Sequence, residues 1–134
     1  MKQDPDSQST ALSASWEQNA QLWTAAVRES TIASRAAGTD QAIINAVLRC
    51  APRSVIDIGC GEGWLVRRLS QEHHCRAVGI DGSTGLINQA RAADPQGIYS
   101  VLTYDRLQEL PECASGPFEV ATCNFALLDE DLVT

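Results

Sequence analysis

The sequence predicts an α/β domain built on a parallel β-sheet, with helices ahead of the first strand. Three observations carry that prediction. Four short runs are rich in apolar and β-branched residues, helical periodicities separate them, and a glycine-rich turn joins the first run directly to a helix. Strands alternating with helices at this spacing specify βαβ units, whose crossovers make successive strands parallel. The length of 134 residues is that of one domain. A hydrophobic fraction of 44% supplies enough apolar material for a core.

Residues 1–12 carry Asp, Ser, Gln and one Pro with little hydrophobicity, and read as a disordered tail. Ser15 followed by Gln18 resembles a capping box. Behind it Trp16, Ala20, Trp23 and Val27 recur at helical spacing, Ile32 extends the face, and Gly38 stops it. That spacing makes Trp16 and Trp23 core residues. A second helix is expected from Asp40, as its N-cap, to Arg49, with Ile43, Ile44, Val47 and Leu48 inward and Pro52 beyond its end.

Ser54-Val55-Ile56-Asp57-Ile58 then reads as a buried strand between Pro52 and Gly59. Trp64, Leu65, Val66 and Leu69 open a helix with Arg67 and Arg68 outward, ending near His73 and His74, whose imidazoles suit a helix C-terminus. Arg76 to Ile80 is the second strand, closed by Asp81 and Gly82. Ser83 caps a helix through Leu86, Ile87 and Ala90 that ends before Pro95. Residues 98–102 form the third strand, with Tyr104, Asp105 and Arg106 in its exit loop. Residues 118–123 form the fourth after the Gly116-Pro117 break, and 127–134 begin a further helical or frayed segment.

Charge and cysteine usage narrow the function classes. Of seventeen acidic and ten basic residues, the stretch 98–134 holds seven acids against Arg106 alone, and Lys2 is the only lysine. Phosphate binding needs clustered Lys and Arg, so a nucleic-acid surface does not fit. Apolar runs of a few residues and a polar N-terminus leave neither a membrane span nor a secretory signal, and a cytoplasmic location is expected. Cys50, Cys60, Cys75, Cys113 and Cys123 are odd in number and lack Cys-x-x-Cys spacing. They fit neither a zinc site nor a disulfide framework, and suit a reducing compartment.

The chemistry lies in Asp57-Ile58-Gly59-Cys60-Gly61-Glu62-Gly63-Trp64. Glycine is required where backbone takes positive φ or a ligand approaches closely, and in an open α/β sheet such a turn faces the ligand crevice. A dinucleotide fingerprint puts a small residue at its third glycine position, counted here as Trp64, which argues against a nicotinamide cofactor. A P-loop is excluded, because no Gly-Lys-Ser/Thr occurs.

This stretch resembles the first motif of class I S-adenosylmethionine-dependent methyltransferases, acidic-x-Gly-x-Gly-x-Gly. The resemblance extends in order from Trp16 to Leu132 and implies a Rossmann-like three-layer fold that binds S-adenosylmethionine. It makes Asp57, Gly59, Cys60, Gly61 and Gly63 the cofactor turn, although Cys60 reads equally as packing. Asp81, with Gly82, resembles the acid that accepts bonds from both ribose hydroxyls, a fit for a carboxylate with two acceptor oxygens. Asp105 resembles the acid that receives the adenine amino group, flanked by Tyr104 and Arg106. Asn124 and Phe125 belong to a segment similar to the motif after the fourth strand, near the methionine end. The head of the chain is similar to a helical cap of one bacterial branch. Arg28 and Arg35 are the candidates to pair with the cofactor carboxylate, which needs a cation.

The resemblance also implies a seven-stranded sheet, so residues 13–134 read as a partial domain, truncated after the fourth strand. Self-association through that exposed strand, or its occupation by residues 127–134, is the expected consequence. The methyl acceptor is unknown, more in keeping with a small molecule than with nucleic acid, and no residue is identified as a catalytic base. No metal is expected. A non-catalytic module that binds the cofactor, or a nicotinamide-binding fragment, are the alternatives.

Overall fold

The computed structural model describes residues 5–28 and 38–124, with the side chains of 5–13 and of Trp16 outside the description. Helices α1 (Pro5–Arg28) and α2 (Asp40–Arg49) precede β1 (Ser54–Ile58), α3 (Trp64–His73), β2 (Arg76–Asp81), α4 (Thr84–Ala93), β3 (Ile98–Val101) and β4 (Val120–Thr122). Two 3₁₀ segments, Tyr104–Glu109 and Glu112–Ala114, lie between β3 and β4.

The four strands are parallel in the order β3-β2-β1-β4. The chain therefore builds outward from β1 through β2 to β3, then returns to the other side of β1. Asp57 stands opposite Gly79 on one side and Thr122 on the other. The sheet reverses its order between β1 and β4, where open α/β sheets bind ligands.

Residues of one strand face pack with α2, α3 and α4. Val55, Ala77 and Tyr99 join Ile44, Val47, Leu65, Val66, Leu69, Ile87 and Ala90 in one apolar cluster. Ile56, Val78 and Ile80, one residue out of phase, are buried as well, as period-2 alternation in a sheet covered on both faces requires. Each fully buried aliphatic side chain stabilises the fold by about 1.5–3 kcal/mol. This core fixes the ends of β1, β2 and β3 relative to one another.

Several expectations are corrected. Helix α1 starts at Pro5 and runs through much of the stretch read as a disordered tail. Proline is favoured at the first helical position, where its missing N–H goes unused, and low hydrophobicity alone does not prevent a helix from continuing outward. Ser15 and Gln18 consequently sit inside α1, not at its start, and the Ser15 carbonyl accepts from Asn19 Nδ2 at 2.8 Å. The N-cap of α2 is Thr39, which makes no side-chain cap bond, and Asp40 occupies the first turn. Tyr104, Asp105 and Arg106 lie in a 3₁₀ segment instead of an open loop. The fourth strand is only Val120–Thr122, shorter than 118–123. Among the described residues it pairs with β1 alone. Residues 127–134, with Ile32, Arg35 and Phe125, lie outside the described residues.

Other elements agree with their sequence signals. Ser83 Oγ accepts from Leu86 N at 3.2 Å as the α4 cap. His74 caps α3 in a left-handed conformation at φ 56°. No described helix is long and apolar enough to cross a membrane.

Candidate cofactor crevice

Parallel strands bring their carboxyl ends to one edge of the sheet. The Gly59–Gly63 turn follows β1, Asp81 and Gly82 end β2, the 104–106 segment follows β3, and Asn124 follows β4. Segments up to 65 residues apart in sequence are thereby gathered at one edge, as the sequence reading expects.

The turn is tight because its glycines take conformations that other residues avoid. Gly59, Gly61 and Gly63 have φ of 74°, 58° and 86°. Gly59 N and Cys60 N both donate to the Ile80 carbonyl at 2.8 Å, which ties the turn to the end of β2. Gly61 N donates to Asp81 Oδ2 at 2.9 Å, and Ser83 N donates to Asp81 Oδ1 at 2.9 Å. Asp81 is thus both an Asx-turn former and a brace for the glycine turn. Each carboxylate oxygen keeps capacity for a further donor. Burial raises its pKa above the ordinary value, against the two amide bonds, which lower it.

Asp57 is buried at 4% exposure, and its Oδ1 accepts from Thr122 Oγ1 at 2.7 Å. It satisfies no loop amide in these contacts; its partner is the facing residue of β4. Burial pushes its pKa up to about 7, the Thr122 bond opposes that, and the Asp81 charge adds to it. The sequence reading missed Thr122, because only the β1–β4 register makes it a partner.

The three glycines differ in role. A Cβ on Gly61 would lie 3.5 Å from Trp23 Nε1, an ordinary contact. A Cβ on Gly63 would lie 2.8 Å from Tyr99 Cε1 and 3.0 Å from the Ala90 Cβ. Gly63 is therefore a packing position that seats α3 on the sheet, and its side-chain direction is not open to a ligand. Cys60 is likewise a packing residue: its buried thiol lies against Gly79, and burial and neighbouring carboxylates raise its pKa.

At the far end of the crevice Asp105 is exposed and Tyr104 half-buried. Arg106 pairs with Glu109 on the surface. Asn124 is half-buried just beyond β4. One further expectation fails here. Trp23 is half-buried beside Gly61, a wall of the crevice instead of a core residue. Arg28 donates to Glu62 Oε2 at 3.1 Å and to the Gln89 carbonyl at 3.1 Å, so protein groups engage it. Glu62, between two glycines, gave no sequence signal at all. No group of His, Cys, Asp or Glu able to hold a metal occurs among the described residues.

Residues 55–133 match the sequence profile of the family described as methyltransferase domain. No curated protein matches the chain. Among solved structures, the plantazolicin methyltransferase BamL in complex with a triazolic desmethylPZN analog and SAH is similar at 21% identity. It covers 81% of this chain and 46% of its own, with a TM-score of 0.50. The plantazolicin methyltransferase BpumL with a monoazolic desmethylPZN analog and SAH covers 87% and 49% at 18% identity and a TM-score of 0.48. WbdD covers 79% and 21% at 25% identity and a TM-score of 0.44. The BamL match is one of fold. The chain spans less than half the length of each of these three structures.

Proposed function

Because the chain belongs to the class I S-adenosylmethionine-dependent methyltransferases, we propose that its crevice holds S-adenosylmethionine and that the whole protein transfers a methyl group. One observation carries this reading. The glycine turn and the Asp81 carboxylate meet at 2.9 Å beside the β1–β4 reversal. The fit is chemical as well as topological. Asp81 and Asp105 stand at this edge, a poor environment for a pyrophosphate and a good one for a cationic nucleoside without phosphate.

In this reading Asp81 accepts from the ribose hydroxyls while its amide bonds keep it oriented. Gly59 and Gly61 leave their backbone open to close approach. Asp105 and Tyr104 bound the adenine end, and Asn124 and Phe125 the methionine end. The bound cofactor supplies a sulfonium methyl with a good leaving group, so the chain's task is to hold and align. Residues 13–134 constitute the cofactor-binding part of the domain. An acidic surface favours a small-molecule acceptor over nucleic acid, and five cysteines without disulfides suit the cytoplasm.

Calorimetric titration with S-adenosylhomocysteine tests the reading, with NAD as the competing ligand. S-adenosylhomocysteine binding without NAD binding is expected; the reverse would overturn it. Asp81→Ala is expected to weaken S-adenosylhomocysteine at least about tenfold, since a hydrogen bond to a charged group contributes roughly 1.5–3 kcal/mol. Unchanged affinity in a folded variant refutes the Asp81 role. The β4 edge adds a separate expectation: sedimentation should give a mass above 14.4 kDa that rises with concentration. A constant monomer mass removes self-association from the reading.

A further inference from the structure

Glu62 is a carboxylate with no exposed surface, set in the glycine turn between Gly61 and Gly63. Its Oε2 accepts from Arg67 Nη2 at 2.6 Å and from Arg28 Nε at 3.1 Å. Arg67 Nη1 also donates to the Glu62 carbonyl at 2.6 Å. Arg67 belongs to α3, directly after the turn. Arg28 is the last residue of α1 and comes from 34 positions earlier. One buried carboxylate therefore joins α1 to the turn.

The same helix is anchored a second time. Glu17 accepts from Gly85 N at 2.7 Å and from Ser83 Oγ at 2.8 Å, at the start of α4. Between the two anchors stands Trp23, whose Nε1 lies 3.5 Å from where a Cβ on Gly61 would be. Helix α1 is thus pinned on both sides of Trp23, which it brings against Gly61.

The two arginines are not equivalent. The Arg67 side chain is 19% exposed and Arg28 39%, beside a cavity of about 260 Å³ that Arg28, Glu62 and Arg67 all line. Releasing a buried carboxylate from its only cation leaves an uncompensated charge and is strongly unfavourable. Here the shorter Arg67 pair stays when Arg28 leaves, so the Arg28 bond opens without stranding Glu62. A solvated, reversible contact is what a clasp requires, and a buried, permanent one is what its seat requires.

We infer that Arg28 is a positioning residue for cofactor binding: clasped to Glu62, it holds α1 so that Trp23 walls the crevice over Gly61, and its release opens that wall. This rests on the reading of the crevice as the S-adenosylmethionine site. A wall held this way slows cofactor departure more than it changes arrival, because the contact exists only once α1 is seated.

The experiment is stopped-flow and calorimetric titration of the 134-residue chain with S-adenosylhomocysteine. It compares wild type, Arg28→Ala, Arg28→Lys, Trp23→Ala and the Arg28→Ala/Trp23→Ala pair. Arg28→Ala is expected to weaken binding about tenfold, almost all of it in a faster off-rate. Arg28→Lys, which keeps a cation for Glu62, is expected to stay within about threefold of wild type. Because Arg28 acts through Trp23, the double variant should lose no more than Trp23→Ala alone. Wild-type affinity in Arg28→Ala overturns the clasp, and so do strictly additive losses or failure of Arg28→Lys to restore the off-rate. Absence of binding by the wild type overturns the cofactor reading itself, a different result from any of these.

Discussion

Gly63→Ala is expected to destabilise the domain by about 2–5 kcal/mol and to lower Tm by roughly 6 °C or more. Two effects add. Gly63 has φ of 86°, a left-handed conformation that disfavours an L residue by about 1–2 kcal/mol. The new methyl would also lie 2.8 Å from Tyr99 Cε1 and 3.0 Å from both the Tyr99 hydroxyl and the Ala90 Cβ. Overpacking of that kind typically costs about 1–3 kcal/mol. Tyr99 has little room to yield, because its ring is buried and its hydroxyl donates to Asp94 Oδ2 at 2.9 Å. Two controls separate the terms. Among the described residues a Cβ on Gly38, at φ 125°, meets nothing within 4 Å, so Gly38→Ala reports backbone strain. A Cβ on Gly61, at φ 58°, makes only the ordinary 3.5 Å contact with Trp23, so Gly61→Ala carries the left-handed backbone effect of about 1–2 kcal/mol without a clash. Thermal unfolding followed by circular dichroism ranks the three. A Gly63→Ala loss no larger than that of Gly61→Ala refutes the packing role.

The contrast between these glycines marks what was legible in the sequence. The alternation of strands and helices, the turn after β1, Asp81 at the end of β2 and Asp105 after β3 follow from local signals: β-branched runs, a glycine cluster and acids beside strand ends. Those signals are short-range, and the structure keeps them. The division of labour inside the turn is not short-range. Gly63 is a packing position because Tyr99 and Ala90 lie beneath it, and nothing near Gly63 in sequence announces that. Arg28 shows the same limit. Its charge suited an anionic ligand group, but the fold supplies Glu62 from 34 positions away. Trp23 has the spacing of a core residue, and helical periodicity reports which face is covered without saying what covers it. Pro5 shows the opposite limit: the polar stretch has no core-facing pattern, yet a helix extends through it.

Asp57 carries the other large effect, a stability that falls as pH rises from about 4 to about 7. In the unfolded chain its carboxyl has the ordinary value of 3.8, and in the fold burial pushes it up to about 7. Between those values the folded protein keeps a proton that the unfolded chain has released. Stability then declines with increasing pH, because the native state binds more protons than the unfolded one. Below about 4 both states are protonated and the contribution is fully present; above about 7 both are ionised and it is gone. The interval corresponds to at most about 4 kcal/mol. Asp57→Asn retains a carbonyl oxygen for the Thr122 hydroxyl, now 2.7 Å from Oδ1, and it does not ionise. The variant should match wild type near pH 3 and exceed it by up to about 4 kcal/mol at pH 8. Urea unfolding at both pH values measures this directly, and an equal difference at the two ends refutes the buried, protonated carboxyl. The same group links stability to binding. Ionised Asp57 favours a cationic ligand at the β1–β4 reversal, so S-adenosylmethionine should bind more tightly at pH 8 than at pH 6 and release a proton from the wild type. Titrations in buffers of different ionisation enthalpy read that proton, and Asp57→Asn should abolish it.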